Sequence, residues 1–250
     1  DALMKLAVVT GASSGIGAAT AFQLANAGYD VLACARRMDR LAAVAAKHER
    51  ITAVELDVTS ADSVAAIVAA IADRPLHLLV ANAGGAFDAN SVVDANIERW
   101  QHSFDVNVLG TLRTVQALHD ALLRSGDGHI IVTTSTAGHV VYETGGSYTA
   151  AKHAEHALVA TLRLELAGEP IRVTEIAPGM VQTDEFALNR FAGDTAKASK
   201  VYEGVAEPLT ASDVADTIVW TATRPSHVNV DLLVVRPLAQ AAQHKVIRTP

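Results

Sequence analysis

The stretch Thr10-Gly11-Ala12-Ser13-Ser14-Gly15-Ile16-Gly17 decides the fold, because it joins an apolar strand-like run to the first helical segment. Glycines here permit a tight turn and let the backbone approach a pyrophosphate closely, while the start of a helix offers free N–H groups. The spacing is G-x-x-x-G-x-G, not the better-known G-x-G-x-x-G. Such a turn can be purely structural. After the first strand of an alternating chain, however, it predicts a nucleotide site.

Strand-like and helix-like segments alternate along the whole chain. Near-continuous apolar runs predict strands at 6–10, 31–35, 51–57, 76–81, 129–135, 171–177 and 232–236. Helical periodicity predicts helices at 15–27, 39–47, 60–72, 97–123, 148–167 and 210–223. This rhythm predicts right-handed crossovers and a doubly wound (Rossmann-type) parallel α/β sheet of about seven strands with helices on both faces. We find no linker or repeat, so residues 1–250 are expected to form a single domain.

The composition restricts the classes of partner. Half of the 250 residues are hydrophobic, yet aromatic residues make up only 4%, so Ala, Val and Leu must fill the core. The formal net charge is −7 with no long basic run, which argues against nucleic acid and anionic membranes as partners. The start of the sequence lacks a signal-peptide layout, and the single cysteine, Cys34, excludes an internal disulfide. We therefore expect a cytoplasmic protein.

Two segments break the alternating rhythm. Residues 84–96 form a polar, glycine-containing loop, and residues 178–208 form a long connection of mixed polarity. Long connections in small domains are usually functional. Both should leave the carboxyl edge of the sheet, so we expect them to hold the substrate, with 178–208 as a lid.

The end of the second strand indicates which dinucleotide is bound. An NAD site usually carries an acidic residue about twenty positions after the glycines. This chain has Ala33-Cys34-Ala35 there, followed by Arg36 and Arg37. Two guanidinium groups can hold a 2′-phosphate, which favours NADP(H) over NAD(H). Asp57 and Val58 should meet the adenine edge, and Asn82-Ala83-Gly84 should allow close approach to the nicotinamide ribose.

A third set of residues carries acid–base chemistry. Tyr148 and Lys152 lie four residues apart, so on a helix they share one face. A Lys ammonium beside a phenol stabilises the phenolate, which suits proton exchange with a carbonyl/alcohol pair. Ser135 ends an apolar run and should lie at the carboxyl edge of a strand, where ligands bind in open α/β sheets. Taken alone, Tyr-x-x-x-Lys would indicate no more than a surface pair.

The ordered set of motifs resembles the short-chain dehydrogenase/reductase family along essentially all of the chain. The resemblance is carried by Thr10-Gly-x-x-x-Gly-x-Gly17, Asn82-Ala83-Gly84, Asn107, Ser135, Tyr148-x-x-x-Lys152 and Pro178-Gly179. One departure is Ala81, where many members carry a second Asn.

The resemblance implies a role for each matching residue. Tyr148 would be the acid/base, Lys152 would bind the nicotinamide ribose, and Ser135 would hydrogen-bond the substrate oxygen. Asn107 would hold a water in a proton relay. The segment 178–183 would lie against the nicotinamide. The implied cofactor-binding residues are Gly11, Ser13, Ser14, Gly15, Ile16, Gly17, Arg36, Arg37, Asp57, Val58, Asn82, Ala83, Gly84, Tyr148, Lys152, Pro178, Gly179, Val181 and Thr183.

The tail resembles a subgroup, the NADP-dependent 3-hydroxy acid (serine-type) dehydrogenases and malonic semialdehyde reductases. The likeness lies in Glu185-Phe186, residues 189–194, Lys197-Ala198, Lys200, Tyr202 and His227-Val228-Asn229. Arg190 is then a candidate anchor for a substrate carboxylate. Glu143 would place a negative charge near that anion. Two alternatives stay open: a general aldehyde/ketone reductase of the same family, and a catalytically silent dinucleotide-binding regulator.

His153 and His156 suggest a metal pair, but their three-residue spacing with no third ligand nearby favours a structural role. We therefore expect no metal site. The resemblance also implies a homo-oligomer, a tetramer or dimer formed through the two long helical segments 97–123 and 148–167.

Overall fold

Seven strands form one parallel sheet in the computed structural model, which describes residues 4–249. They are β1 Leu6–Thr10, β2 Asp30–Ala35, β3 Ile51–Glu55, β4 Leu78–Ala81, β5 Gly128–Thr133, β6 Ile171–Pro178 and β9 Leu232–Val235, in the order β3-β2-β1-β4-β5-β6-β9. Four short strands, β7 Val181–Gln182, β8 Leu209–Thr210, β10 Gln240–Ala242 and β11 Lys245–Val246, pair in two small ribbons. The predicted doubly wound sheet is confirmed.

Helices cover both faces of the sheet. They are α1 Gly15–Asn26, α2 Met38–Ala45, α3 Ala61–Ile71, α4 Ile97–Phe104, α5 Gly110–Ser125, α6 Gly146–Glu165, α7 Phe186–Arg190, α8 Thr195–Lys200 and α9 Ala211–Ala222. One face packs α1, α2 and α9 through residues such as Leu24, Leu41 and Ile218. The other face packs α3, α5 and α6 through residues such as Ile67 and Leu118. Burial on both sides explains why the strands are apolar throughout.

The predicted single helix over 97–123 is wrong at its centre. A π-type turn, Asp105–Leu109, separates α4 from α5. The side-chain amide of Asn107, a residue of this turn, donates to the backbone carbonyls of Ser103 (2.8 Å) and Gly85 (3.0 Å). Apolar periodicity cannot show such a turn, because it depends on these polar contacts. π-turns inside helices are frequent at functional sites.

Two helices begin at side-chain caps. Ser60 accepts a hydrogen bond from the N–H of Ser63, and Thr210 and Asp213 cap the start of α9 reciprocally.

Cys34 is fully buried in β2, and burial raises the pKa of its thiol. Among residues 4–249, no helix is long and apolar enough to cross a membrane.

Strand order reverses between β1 and β4, and ligands bind at such a reversal in open α/β sheets. Residues 84–96 follow β4 and contain a 3₁₀ turn, Val92–Asp94. Residues 178–208 follow β6 and contain α7 and α8. Both segments therefore leave the carboxyl edge, as predicted.

Candidate active site

A cavity of about 350 Å³ opens at the carboxyl ends of β1 and β4. This volume falls within the range typical of small-molecule sites. It is lined by these predicted cofactor residues: Gly11, Ser13, Ser14, Gly15, Ile16, Arg36, Arg37, Asp57, Val58, Asn82, Ala83, Gly84, Tyr148, Lys152 and Thr183. Residues far apart in the sequence thus converge on one space.

The glycine turn has the geometry that its sequence predicts. Gly11 and Gly15 have φ values of +66° and +52°, a region that favours glycine. A Cβ on Gly11 would lie 2.9 Å from the Cα of Ala83. The hydroxyl of Thr10 accepts hydrogen bonds from the N–H groups of Asn82 and Ala83, both at 3.0 Å, and so fixes the end of β4 to the turn.

Gly17 has a different place from the other glycines. It is buried and lines neither this cavity nor the substrate-side one described below. A Cβ there would lie 2.2 Å from the carbonyl oxygen of Gly11. Gly17 therefore allows α1 to pack closely against the turn, as the third glycine of a dinucleotide fingerprint does.

Arg37 is tied into the cavity wall by polar contacts. Its Nη2 donates to the hydroxyls of Ser13 (2.9 Å) and Ser14 (3.3 Å), and its guanidinium pairs with Glu185 at 2.6 and 2.8 Å. Ser14 also donates to Glu185 at 3.0 Å, and Arg40 pairs with the same carboxylate. Arg36 lines the cavity with an exposed side chain. The carboxylate of Glu185 thus sits among donors that an anionic ligand would use.

Asp57 lies at the adjoining end of the cavity, just after β3. Burial opposes its ionisation, but hydrogen bonds from the side chain and N–H of Thr59 (2.7 and 2.9 Å) outweigh burial and lower its pKa. Asp57 is therefore an ionised acceptor.

Tyr148 and Lys152 lie on α6, buried and on one face. The Nζ of Lys152 is 5.8 Å from the centre of the Tyr148 ring. Its ammonium donates to the carbonyl of Thr133 at 3.2 Å and to Glu155 at 2.6 Å. Phe186 packs edge-on against Tyr148, with ring centres 5.4 Å apart. The predicted pair is therefore held between the end of β5 and the lid.

Glu155 is a residue that the sequence interpretation missed. Its carboxylate is 1% exposed and accepts from Lys152 and from the hydroxyl of Thr111 (2.9 Å). Burial lowers the pKa of Lys152. The Glu155 carboxylate, together with Tyr148, raises this pKa by more than burial lowers it, so the net shift is upward. Glu155 lies three residues after Lys152, so the two side chains share one face of α6. That spacing is the feature of the sequence that could have indicated Glu155.

Ser135 and Asn107 flank the pair. Ser135 starts the 3₁₀ turn Thr136–Gly138; its Oγ donates to the carbonyl of Pro178 (3.5 Å) and accepts from the N–H of Ala137 (3.1 Å). Asn107 is fully buried, and its Oδ1 accepts from the N–H of Gly85 at 3.1 Å. A Cβ built on Gly84 would lie 2.5 Å from that oxygen and 3.5 Å from the Nζ of Lys152. The side chains of Asn107 and Lys152 therefore both lie beside Gly84.

A second cavity of about 180 Å³ lies on the other side of Tyr148. Ser135, Tyr142 and Arg190 line it, together with the predicted residues Pro178, Gly179, Val181 and Thr183. Burial raises the pKa of Tyr142 to about 12, so this phenol stays protonated. Tyr148 and Thr183 line both cavities. The two spaces thus adjoin at the candidate acid/base.

Arg190 borders the second cavity without a carboxylate partner among residues 4–249. Its guanidinium packs over the rings of Tyr142 (5.3 Å) and Phe191 (5.1 Å) and donates to the hydroxyl of Thr144 at 3.3 Å. Glu143 is exposed and lines neither cavity.

Comparison with known proteins agrees with this geometry. A family model described as short chain dehydrogenase matches residues 5–190. An uncharacterized oxidoreductase of Mycobacterium tuberculosis is 52% identical, covering 95% of this chain and 93% of its own length. Serine 3-dehydrogenase of Agrobacterium fabrum is 35% identical over 94% of each chain. A solved structure of the closed form of serine dehydrogenase complexed with NADP⁺ superposes with a TM-score of 0.90, at 31% identity, covering 98% of this chain and 100% of its own. From its ordered motifs, its sheet and these matches, the chain belongs to the short-chain dehydrogenase/reductase family.

Proposed function

We propose that this protein is an NADP(H)-dependent oxidoreductase that interconverts an alcohol and a carbonyl by hydride transfer, with small 3-hydroxy acids such as serine as preferred substrates. The observation that carries the proposal is the position of Tyr148 between two adjoining cavities. One cavity has the glycine turn of a dinucleotide site, and the other is small and carries Arg190. A proton donor at their junction can reach the reacting oxygen.

The residues of the larger cavity fit NADP(H). The glycine turn that lines this cavity, with Gly11 and Gly15 at positive φ and the start of α1 behind it, suits the pyrophosphate. Arg36 and Arg37, with Ser13, would hold a 2′-phosphate. Lys152 would bind the nicotinamide ribose. Thr183, which lines both cavities, would lie against the nicotinamide together with Pro178, Gly179 and Val181 of the smaller cavity. When bound, the nicotinamide supplies or accepts the hydride.

Ser135 and Tyr148 would both hydrogen-bond the substrate oxygen. These contacts strengthen as negative charge develops on that oxygen, so they stabilise the transition state more than the ground state. Tyr148 then gives its proton to the oxygen. Lys152 and a water held near Asn107 would restore that proton. In the oxidising direction the roles reverse, so activity should rise with pH.

The substrate preference is carried by Arg190. A guanidinium at the rim of a 180 Å³ cavity suits a small carboxylate, and the segment 178–208 would act as the lid above it. Serine is also the substrate that the names of two similar proteins contain. The apolar contacts of Tyr142 and Phe186 in the same cavity favour the second candidate, a reductase of neutral aldehydes and ketones.

A substrate panel distinguishes these functions. NADP⁺ reduction is measured with L- and D-serine, 3-hydroxypropionate and 3-hydroxyisobutyrate, and NADPH oxidation with neutral carbonyls. We expect turnover of hydroxy acids, and Arg190→Gln should raise KM for them while Arg190→Lys retains part of the affinity. A response to neutral carbonyls alone would select the second candidate. Tight NADPH binding without any turnover would indicate a regulator.

We also propose that the protein is a cytoplasmic homo-oligomer, a tetramer or dimer assembled through α4, α5 and α6. Ile97, Phe104 and Leu164 on these helices are apolar and exposed by 69%, 42% and 79%. Assembly through these helices would remove Ile97 and Phe104 of α4 and Leu164 of α6 from water. Light scattering coupled to size-exclusion chromatography measures the mass; a monomer at working concentration would reject this assembly.

A further inference from the structure

Three side chains outside both cavities meet where the turn after Ser135 contacts α6 and β6. The Nε2 of His139 donates to one oxygen of Glu175 at 3.0 Å, and the Nδ1 of His156 donates to the other at 2.6 Å. The two imidazole centres are 4.4 Å apart. His139 follows the turn, His156 lies on α6 and Glu175 lies on β6, so three separate elements hold the cluster.

The charge balance of this region is negative. The carboxylate of Glu175 is 2% exposed, and within the part of the chain that the structure describes its ion-pair partners are these two histidines. The neighbouring buried ammonium, Lys152, is already paired with Glu155. When both imidazoles are neutral, one ammonium stands against two buried carboxylates. Buried charges need a compensating charge, so the region favours a cation between the histidines.

The ligand atoms suit a transition-metal ion. Imidazole nitrogens and a carboxylate oxygen are zinc ligands, and two His with one Glu leave a fourth position open. Ligation needs the other tautomer of each ring, with the proton on Nδ1 of His139 and on Nε2 of His156. The three ligand atoms all lie within 4.8 Å of one another. Side chains exposed by 25% and 39%, at His139 and His156, give an ion a path from solvent. The hydroxyl of Thr134 donates to Glu175 at 2.6 Å and orients it, as outer-shell partners of metal ligands do.

His153, the residue that the sequence pairs with His156, does not belong to this cluster. Its Nδ1 contacts the carbonyl of Thr149 in its own helix at 2.8 Å. The real neighbours of His156 come from positions 139 and 175, and no local spacing could indicate them. The sequence-based expectation of no metal site considered only His153 and His156.

We propose that His139, His156 and Glu175 form a binding site for one divalent transition-metal ion, with Zn²⁺ as the best match to these donors. The ion ties the turn that carries Ser135 to the helix that carries Tyr148. This proposal goes beyond the oxidoreductase function and does not depend on it, since binding is measured without turnover.

Co²⁺ titration of the full, tag-free and chelator-treated chain tests the site through visible absorption. We expect one Co²⁺ per chain, displaced by Zn²⁺. His139→Asn and His156→Asn should each weaken binding at least about tenfold, the scale of losing even an outer-shell partner. His153→Asn is the matched control on the same helix and should bind as the unchanged protein does.

Three outcomes overturn the proposal. The first is that the unchanged protein binds neither Co²⁺ nor Zn²⁺. The second is that His139→Asn and His156→Asn both bind the ion as the unchanged protein does. The third is that His153→Asn weakens binding as much as those two variants do. A rise in Tm on adding Zn²⁺, present in the control and lost in the two variants, is an independent readout. Circular dichroism of each variant verifies that a loss of binding is not a loss of fold.

Discussion

Lys152 illustrates how single side chains set the chemistry of this site. Two of its three N–H groups are engaged, one by the carbonyl of Thr133 and one by Glu155. The remaining N–H is available to the cavity that Lys152 lines. Burial alone would lower the pKa of this ammonium, and Glu155 is what turns the net shift upward. Glu155 therefore keeps Lys152 charged at alkaline pH.

Glu155→Gln should narrow the pH range of activity. The amide oxygen of the new side chain can still accept from Lys152, but without the negative charge desolvation dominates and the lysine pKa falls. Lys152 would then lose its proton at lower pH, so the alkaline loss of activity moves toward neutrality by about one to three pH units. A unit charge about 4 Å away contributes about 1 kcal/mol in water and about 4 kcal/mol in a protein environment. The measurement is kcat/KM against pH. Glu165→Gln, an exposed change on α6, is the control; an identical alkaline limb in both variants would refute this role.

Glu185 is the second carboxylate that acts on a cation of the site. It accepts from Arg37 and Ser14, the donors that a 2′-phosphate would need. Glu185 should therefore compete with the 2′-phosphate for these donors. Glu185→Gln is expected to tighten NADP⁺ binding roughly fivefold, equivalent to about 1 kcal/mol for a partly exposed pair. Binding of NAD⁺, which lacks the 2′-phosphate, should change little.

Fluorescence titration of both nucleotides tests this competition, with the neighbouring exposed Asp184→Asn as control. Weaker NADP⁺ binding in Glu185→Gln, with Asp184→Asn unchanged, would mean that Glu185 closes the lid over the cofactor instead of competing with it.

Residues linked by close spacing were predictable, and residues linked by tertiary contact were not. Tyr148, Lys152 and the glycine turn follow from fixed local spacing. Glu185 lies 171 positions from Ser14, and nothing local indicates that they meet. Glu155 is intermediate, because a carboxylate at i+3 from Lys152 is visible in the sequence but its burial is not.

At the scale of elements, apolar runs located all seven strands of the large sheet to within about two residues. Sheet strands buried on both faces give a strong signal. The π-turn at Asp105–Leu109 and the helices α7 and α8 were not predicted. The π-turn depends on the polar contacts of Asn107, and α7 and α8, with five and six residues, are too short to show apolar periodicity. Val106 of the π-turn and Phe186 of α7 line the candidate site, where local rules are most often broken.

Strand β5 carries a buried histidine with a consequence for stability. Burial, and then Arg172, lower the pKa of His129 to about 3; its Nε2 contacts Thr174 at 2.8 Å and its Nδ1 has no partner in the described chain. In the unfolded chain the His129 imidazole becomes protonated below about pH 6.5, whereas in the folded chain it stays neutral down to about pH 3. Acidification between these values therefore destabilises the fold.

His129→Gln should remove that part of the acid sensitivity. One proton contributes a slope of up to about 1.4 kcal/mol per pH unit below pH 6.5. Urea unfolding at pH 7 and pH 5 measures the loss of stability between the two conditions, which is expected to be smaller in the variant. His227→Gln, at an exposed position, should behave as the unchanged protein does. Equal losses in all three proteins would contradict the account.

For the whole molecule, the fold accounts for how the site comes together. Reversal of strand order between β1 and β4 opens one cavity, and residues of the segment after β6 line another. Tyr148 lies at their junction on α6, which packs against β6. The sequence predicted that these parts share one edge of the sheet. The separation into two adjoining spaces required the packed structure.

The central claim is that Tyr148 is the acid/base between a dinucleotide and its substrate. The direct measurement is turnover and NADPH affinity of Tyr148→Phe, with Tyr142→Phe as the matched tyrosine of the substrate cavity. We predict that Tyr148→Phe lowers kcat at least about a hundredfold, the usual contribution of general acid–base catalysis. NADPH affinity should fall by no more than about tenfold, since a phenol hydroxyl adds at most about one hydrogen bond to it. Tyr142→Phe should retain most of its turnover. Turnover that survives in Tyr148→Phe while NADPH still binds would contradict the assignment.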